Sequence, residues 1–451
     1  MFTVKWLAQM FHSYTGHIAE QSIKGVYTDS RIEMADGLFV PIVGENFDGH
    51  DYVSEAVEKG AIAVLWNKQK QLPDTLPASL VVFYVEDTLT ALQQLASAYR
   101  EKMNPIVIGI TGSNGKTTTK DMVAALLQTT YRTHYTKGNF NNHIGLPLTI
   151  LSMQPNTEVL VVEMGMNHAG EIKLLSNIAK LDYAIITNIG ESHIEYLGSR
   201  ENIAKAKLEI LSGLSKTGLL VIDGDEPLLQ QLHNQERVIT CGFAKHNVNQ
   251  ITSLQVHDNE TSFTINENAN YTIPFLGKHH AKNATLAITI GMSLKIEAGK
   301  MQSAFRHMQK TGMRFEKLRG KNGVTLINDA YNASATSMKA AIEVVKQLDG
   351  YSEKVLVLGD ILELGDYSEV MHRSVSEAIT KPITNVYTFG NAAKYITEEL
   401  VEQSGSIPAS HYTDKNALLN ALQPHLHEEA IILFKASRGL QFETFITDLK
   451  Q

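Results

Sequence analysis

The stretch Pro105–Leu127, PIVIGITGSNGKTTTKDMVAALL, sets a β-branched strand, a glycine loop, a Lys-Thr pair and an amphipathic helix in immediate succession. That order is a cradle for a nucleoside triphosphate. Across Gly112, Ser113, Asn114, Gly115, Lys116, Thr117 and Thr118, the glycines let backbone N–H groups turn toward phosphate oxygens. Lys116 can reach the β and γ phosphates, and the Thr117 hydroxyl can hold Mg²⁺. The helix opening at Lys116 adds the positive end of its dipole. Ile110 stands where the strict pattern has its first glycine, so the loop is a variant. An ordinary Gly/Asn turn is the competing reading, and the strand and helix on either side argue against it.

A chain of 451 residues is too long for one core and should divide into about three domains. A hydrophobic fraction of 43% and a charged fraction of 20% are those of a soluble globular protein. The net charge of −8, with no basic run, excludes a nucleic-acid scaffold, so any anionic substrate must be met by local positive charge. The single cysteine, Cys241, excludes internal disulfides and thiolate metal cages, and its strand-like setting VITCG predicts a buried thiol. The N-terminal MFTVKWLAQMFHSYTG has no sustained apolar core, and no run is long enough to span a bilayer. A cytoplasmic location without membrane insertion is the expectation.

The first hundred residues offer GVYTDSR, GLFVPIVG and GAIAVLW as strands and DYVSEAVEKG and LTALQQLASAYREKM as helices, a small α/β unit ending near residue 103 at Asn104-Pro105. EVLVVEMG, DYAIITNIG, GLLVIDGD and RVITCGF then read as a mostly parallel, doubly covered sheet around the phosphate loop. Residues 248–275 alternate polar and apolar, with a turn at Asp258 and Asn259, and predict an appended hairpin before helices resume at Gly277. A second parallel, Rossmann-like sheet begins at Gly323 with GVTLIND, KVLVLGD, NVYTFG and AIILFKAS. No GxGxxG follows its first strand, so dinucleotide binding is not supported. The expected domains are 1–103, 104–313 and 314–451, with a Gly-rich, charged hinge between Lys310 and Gly323. No repeat of fixed period is present.

Glu163 ends LVVEMG at the carboxyl end of a strand, where it can ligate a metal beside the loop or be satisfied by a loop N–H. His193, in TNIGESHIEYLG, follows the next strand, and a lone histidine is usually a surface or packing residue. Lys207, in AKAKLEI, reads by default as a solvated helix lysine, too close to Lys205 to share its face.

Taken together the motifs resemble the Mur ligase family over essentially the whole chain. They are TDSR, GENFDGHD, TGSNGKTTTK, GNFNNHIGLP, EMGMNHAGEI, TNIGESHIEYLG, AKAKLEI, GMRFE, NDAYNASATSM, LGDILELG and KASRGLQFE. NDAYNA followed by LGDILELG is similar to the branch that adds D-alanyl-D-alanine. The resemblance implies three α/β domains and residue roles as follows. Lys116 would be the phosphate-loop lysine, with Thr117 and Glu163 as ligands of a first Mg²⁺ and His193 as ligand of a second. Lys207 would be carbamylated, its ε-amine having added CO₂ to give a carboxylate that supports the second metal. Asn283 would contact adenine, Arg314 the γ-phosphate and Asp329 the ribose. Asn139, Asn141 and Asn142 would face the muramoyl peptide, while Tyr331, Asn332 and Ala333 lead toward the dipeptide. Lys435, Ser437 and Arg438 would meet substrate carboxylates, and Ser30, Arg31, Asn46 and Phe47 would hold the uridine nucleotide in the first domain. Two further departures stand out, His280 where the family usually has Asn and Ala335 where it usually has Pro.

The implied function is an ATP-dependent amide ligase. It joins UDP-N-acetylmuramoyl-tripeptide to D-alanyl-D-alanine through an acyl phosphate, acts as a monomer in the cytoplasm, and requires domain closure because ATP contacts come from two domains. A ligase adding the third amino acid or glutamylating folate is an alternative that NDAYNA and LGDILELG oppose. A phosphate-loop kinase or a nucleotide-dependent switch is the alternative from another class. Phosphate release triggered by a particular amine separates these readings.

Overall fold

A computed structural model describes residues 1–308, 312–403 and 407–450. Three α/β units follow one another, each around its own main sheet. The central sheet has nine strands with Ile106–Thr111 flanked by Val159–Glu163 and Leu181–Ile186. All six residues of Ile106–Thr111 are buried or nearly so, as a parallel strand covered by helices on both faces requires. From Thr133–Tyr135 to Asn249–Val256 every pairing is parallel, and Thr261–Ile265 and Ala269–Ile273 then extend the sheet antiparallel. The expected hairpin, with its turn at Asp258 and Asn259, is thus the first half of a three-stranded meander whose first strand also closes the parallel part of the sheet, and Ala269–Ile273 is a third strand that the alternation did not separate. Helix Lys116–Gln128 packs with Lys278–Ser293 over one face of this sheet.

In the first unit Gly25–Tyr27, Gly37–Phe39, Ala61–Asn67 and Val81–Val85 are parallel, with Tyr14–Thr15 antiparallel at the edge. Its long helix Thr88–Met103 starts where the Asp87 side chain accepts from Thr90 N–H at 2.7 Å and stops at Asn104, left-handed at φ +48°.

The third unit orders its strands Glu316–Arg319, Thr325–Asn328, Ala430–Lys435, Glu353–Gly359, Asn385–Phe389 and Ala409–Tyr412. The expected hinge needs correction here. Its Lys310 end lies outside the described residues, and Glu316–Arg319 is an antiparallel edge strand of the third sheet. Its charges reflect an edge facing water, not a free linker. Ala335 begins helix Ala335–Gln347 behind a Ser334–Ser337 capping box, a first-turn position where neither Ala nor Pro needs its N–H bonded. No helix of the described residues is long and apolar enough to cross a membrane. Cys241 is buried, and burial pushes its thiol up to about 12.

Candidate active site

The chain leaves Ile106–Thr111 for Val159–Glu163 on one side and returns to Leu181–Ile186 on the other, opening a crevice at the carboxyl ends. The phosphate loop lies in it. Gly112 has φ +151°, and a Cβ there would fall 1.8 Å from Thr187 Oγ1; at Gly115, with φ +79°, it would meet the Asn283 side chain at 2.8 Å. Both positions need glycine for space as well as conformation. The loop is held in shape by Ser113 N–H on the Asn188 carbonyl at 3.1 Å, Asn114 N–H on Asn188 Oδ1 at 2.9 Å and Gly190 N–H on Ser113 Oγ at 2.8 Å. Lys116 Nζ donates to the Gly112 carbonyl at 2.9 Å. Burial lowers its pKa, with Glu163 opposing that shift and Arg314 adding to it.

Glu163, 3% exposed, is gripped from two sides. Thr117 Oγ1 donates to Oε2 and Asn141 Nδ2 to Oε1, each at 2.8 Å, while the Glu163 N–H donates to Thr136 Oγ1 at 3.0 Å. Arg314, from the start of the third unit, donates from Nη2 to Thr117 Oγ1 at 3.0 Å and lies 4.2 Å over the Tyr331 ring. A hydroxyl and a buried carboxylate are hard oxygen donors suited to Mg²⁺, a cation that takes one or two carboxylates and completes its shell with phosphate and water. Among the described residues no group of three or more His, Cys, Asp or Glu side chains converges, which fits such a sparse protein contribution.

His193 sits at φ +65° ahead of the short helix Ile194–Leu197. Its Nδ1 is 2.5 Å from Glu363 Oε2 of the third unit. His193 holds the Glu363 carboxyl below the usual range. Lys207 is 1% exposed, unlike exposed Lys205 on the same helix. The solvated reading of this lysine is therefore wrong. Its pKa is driven well below the ordinary value by burial first and by Lys116 second, with no carboxylate to offset them.

Two cavities meet at this point, one of about 950 Å³ and one of about 800 Å³, both lined by Thr117, Glu191, His193, Arg314, Tyr331 and Asn332. The larger runs past the phosphate loop to Asn283, Asp329 and Lys435; the smaller runs past Asn139 and Ala333 to Ser437 and Arg438. The late strand-end trio is therefore divided. Lys435 Nζ is 2.6 Å from Asp329 Oδ2, Ser437 Oγ accepts from Leu362 N–H at 2.9 Å, and Arg438 pairs with Glu443 at 3.0 Å. Of the asparagines, Asn141 and Asn142 line the larger cavity. Asn142 Oδ1 also accepts from Ile144 and Gly145 N–H, capping the helix Gly145–Leu151.

Ser30, Arg31, Asn46 and Phe47 line neither cavity and sit beyond the ends of the parallel strands Gly25–Tyr27 and Gly37–Phe39. Ser30 Oγ donates to Glu55 at 2.6 Å, and Arg31 forks onto Asp29 with both contacts at 2.8 Å. Phe47 is 57% exposed.

Three descriptions match in succession: "Mur ligase family, catalytic domain" over residues 22–100, "Mur ligase middle domain" over 110–291, and "Mur ligase, glutamate ligase domain" over 313–438. The sequence is 47% identical to the UDP-N-acetylmuramoyl-tripeptide:D-alanyl-D-alanine ligase of Bacillus subtilis, across 99% of this chain and 98% of that protein. The chain belongs to the Mur ligase family. Its fold matches a crystal structure of MurF from Acinetobacter baumannii with a TM-score of 0.89 at 28% identity, covering 99% of this chain and 98% of that one. It also matches the MurF ligase of Thermotoga maritima in complex with ADP, with a TM-score of 0.81 at 26% identity, covering 94% and 96%.

This Mur ligase carries cavity residues that sequence reasoning passed over. Asp223 ends its strand as Glu163 ends another, and that placement was a usable signal; it pairs with Lys282 at 2.7 Å, and burial raises its pKa. His279, at the opening of helix Lys278–Ser293, is brought down to about 4 by burial and so is neutral near pH 7. Lys120, on the smaller cavity, had no sequence signal beyond its place one turn after Lys116. The third unit is already docked, through Arg314 on Thr117, Ser334 Oγ on Asn114 Oδ1 at 3.2 Å, and Tyr367 OH on the Gly198 carbonyl at 2.7 Å.

Proposed function

We propose that this chain joins D-alanyl-D-alanine to UDP-N-acetylmuramoyl-tripeptide at the expense of ATP, in the cytoplasm, releasing ADP and phosphate. The observation that carries the reading is the junction at Thr117 and Arg314, where a phosphate cavity and a second cavity open onto one another. ATP enters the larger with its γ-phosphate at Lys116, Thr117 and Arg314, its ribose toward Asp329 and its base toward Asn283. The peptide's terminal carboxylate arrives from the smaller. Its oxygen attacks the γ-phosphorus, the bond to the β-γ bridging oxygen breaks, and ADP leaves. The amine of the dipeptide then attacks the acyl carbon, loses a proton, and phosphate departs with the acyl oxygen.

Both reactants are anions, so Lys116 and Arg314 act by cancelling repulsion and by holding charge that spreads over the transferring phosphoryl oxygens. Mg²⁺, when bound, supplies further charge neutralisation. Thr117 and Glu163 would hold one ion, and His193 and Lys207 would serve a second. A buried lysine with a lowered pKa has the neutral amine needed to add CO₂, and a carbamate there would give a further oxygen donor. Asn139, Tyr331, Asn332, Ala333, Ser437 and Arg438 face the peptide and dipeptide. Ser30, Arg31, Asn46 and Phe47 hold the uridine nucleotide. We take residues 1–103, 104–313 and 314–451 as the three domains of a monomer.

The test is phosphate release with ATP and the nucleotide-linked tripeptide. D-alanyl-D-alanine should trigger it, and L-alanine or L-glutamate should not. Release that is independent of any amine would defeat the ligase reading in favour of a nucleotide-dependent switch.

A further inference from the structure

Lys120 stands on the helix Lys116–Gln128 at the spacing that puts Thr117, Lys120 and Asp121 on one face, and that face is the central wall of the smaller cavity. The Lys120 side chain is only 4% exposed. Its Nζ donates to the Thr136 carbonyl at 2.8 Å, pairs with Asp121 Oδ1 at 2.5 Å, and lies 5.2 Å over the Tyr135 ring. The ammonium has three N–H groups, and the Thr136 carbonyl takes one of them.

Among the described residues, the other cations at the junction are committed elsewhere. Lys116 and Arg314 belong to the phosphates, and Arg438 pairs with Glu443 on the third unit. Lys137 stands on the same wall but in water. A carboxylate entering the smaller cavity therefore meets one buried cation, among the described residues, on the central wall before it reaches the γ-phosphate. We propose that Lys120 is that carboxylate's seat, holding the reacting peptide end in line with the phosphate. The Thr136 carbonyl fixes the direction of the ammonium, and Asp121 competes with the substrate for its charge. This assignment rests on the reading of the smaller cavity as the peptide's entrance.

The experiment compares binding of the nucleotide-linked tripeptide with that of its C-terminal carboxamide, by calorimetry in the presence of ADP and Mg²⁺. Wild-type protein should prefer the carboxylate about tenfold or more, the size of a charged hydrogen bond in a buried site. Lys120→Met should bring that ratio close to one while leaving ADP affinity and its Mg²⁺ dependence unchanged, and Lys120→Arg should keep part of the preference. Asp121→Asn, which frees the ammonium of its counter-ion, should widen the preference. If Lys120→Met weakened both ligands equally, or shifted the Mg²⁺ dependence through Thr136 and Glu163, the role would be structural and the proposal would fall. Should Lys120→Met not fold, an unchanged or narrower preference in Asp121→Asn would overturn it instead. Wild-type protein that binds neither peptide form would defeat the ligase reading itself, a result distinct from retained preference in Lys120→Met.

Discussion

The central unit shares one apolar core cluster with both neighbours, and its two surfaces differ in the polar groups that accompany that core. Against the first unit it buries the helix Thr88–Met103, with Leu92, Leu95, Ala96 and Tyr99 in the same apolar core as Leu146, Ile150 and Met153. Arg100, 7% exposed, donates to the Ala179 and Lys180 carbonyls at 2.8 and 2.7 Å, closing the end of helix Glu171–Ala179. Against the third unit it offers polar side chains of the site itself, Thr117, Asn114, Glu191 and His193. The first surface stores stability and has no chemistry in it. The second is made of groups that line the cavities and, on the proposed function, meet the substrates, so its contacts should be exchangeable with ligand. The first two units should therefore behave as one body, with the third as the part that moves.

The largest effect expected from this contrast is at Tyr99. Tyr99→Ala removes a fully buried ring and its bond to the Met153 carbonyl, and should destabilise the joined first and central units by about 3–5 kcal/mol. Urea unfolding followed by tryptophan fluorescence should show the loss while kcat of the folded fraction stays within about twofold. A collapse of kcat without loss of stability would break the comparison. The same packing means that an isolated 1–103 fragment would expose an apolar helix face, so uridine binding is better followed in the whole chain.

Arg314→Ala is the mirror case. It should lower kcat by about a hundredfold or more, on the order of 3 kcal/mol, and leave the melting temperature nearly unchanged. Lys116→Ala should do the same. A folded variant of either kind with near-normal ligation would remove the cradle reading.

Lys207 sharpens the contrast by a smaller amount. Its folded pKa lies below the unfolded value, so the unfolded chain binds more protons between the two, and stability should rise with pH through that window. Lys207→Met removes a buried amine whose charged form is disfavoured by burial and by Lys116. In CO₂-free buffer near pH 7 it should raise the melting temperature by roughly a few degrees and flatten that slope, while abolishing ligation. A lower melting temperature would mean that the ammonium has a stabilising partner. Mass spectrometry of wild-type protein under CO₂ should show the carbamate.

The smallest effect is at Tyr367. Tyr367→Phe deletes one hydrogen bond of the docked third unit, worth about 1 kcal/mol, and should raise KM for ATP severalfold with kcat little changed. Small-angle scattering should then show a larger radius of gyration that ligands reduce, whereas wild-type protein should change little.

The parts legible in the sequence were those with local causes. The phosphate loop announces itself because its glycines, lysine and threonine act within one turn, and Glu163 because strand ends gather ligands. Val81–Val85 went unread because a short apolar run has no period to separate it from a buried helix segment. Ala409–Tyr412 and Glu316–Arg319 went unread because edge strands carry polar residues. Lys207 reads as one lysine among several until the fold buries it. The pairing of His193 with Glu363, like the separation of Lys435 from Arg438, exists only once two sheets are set against each other.

Arg314 belongs to the third unit and touches a threonine of the phosphate loop in the second. With Arg314 at the γ-phosphate as proposed, that contact would make the angle between two bodies and the potential felt by the γ-phosphate one and the same variable. Any swing wide enough to admit or discharge a peptide would withdraw the guanidinium. On that reading the open molecule should be a poor hydrolase as well as a poor ligase, so that ATP waiting in it for its partner is not squandered on water.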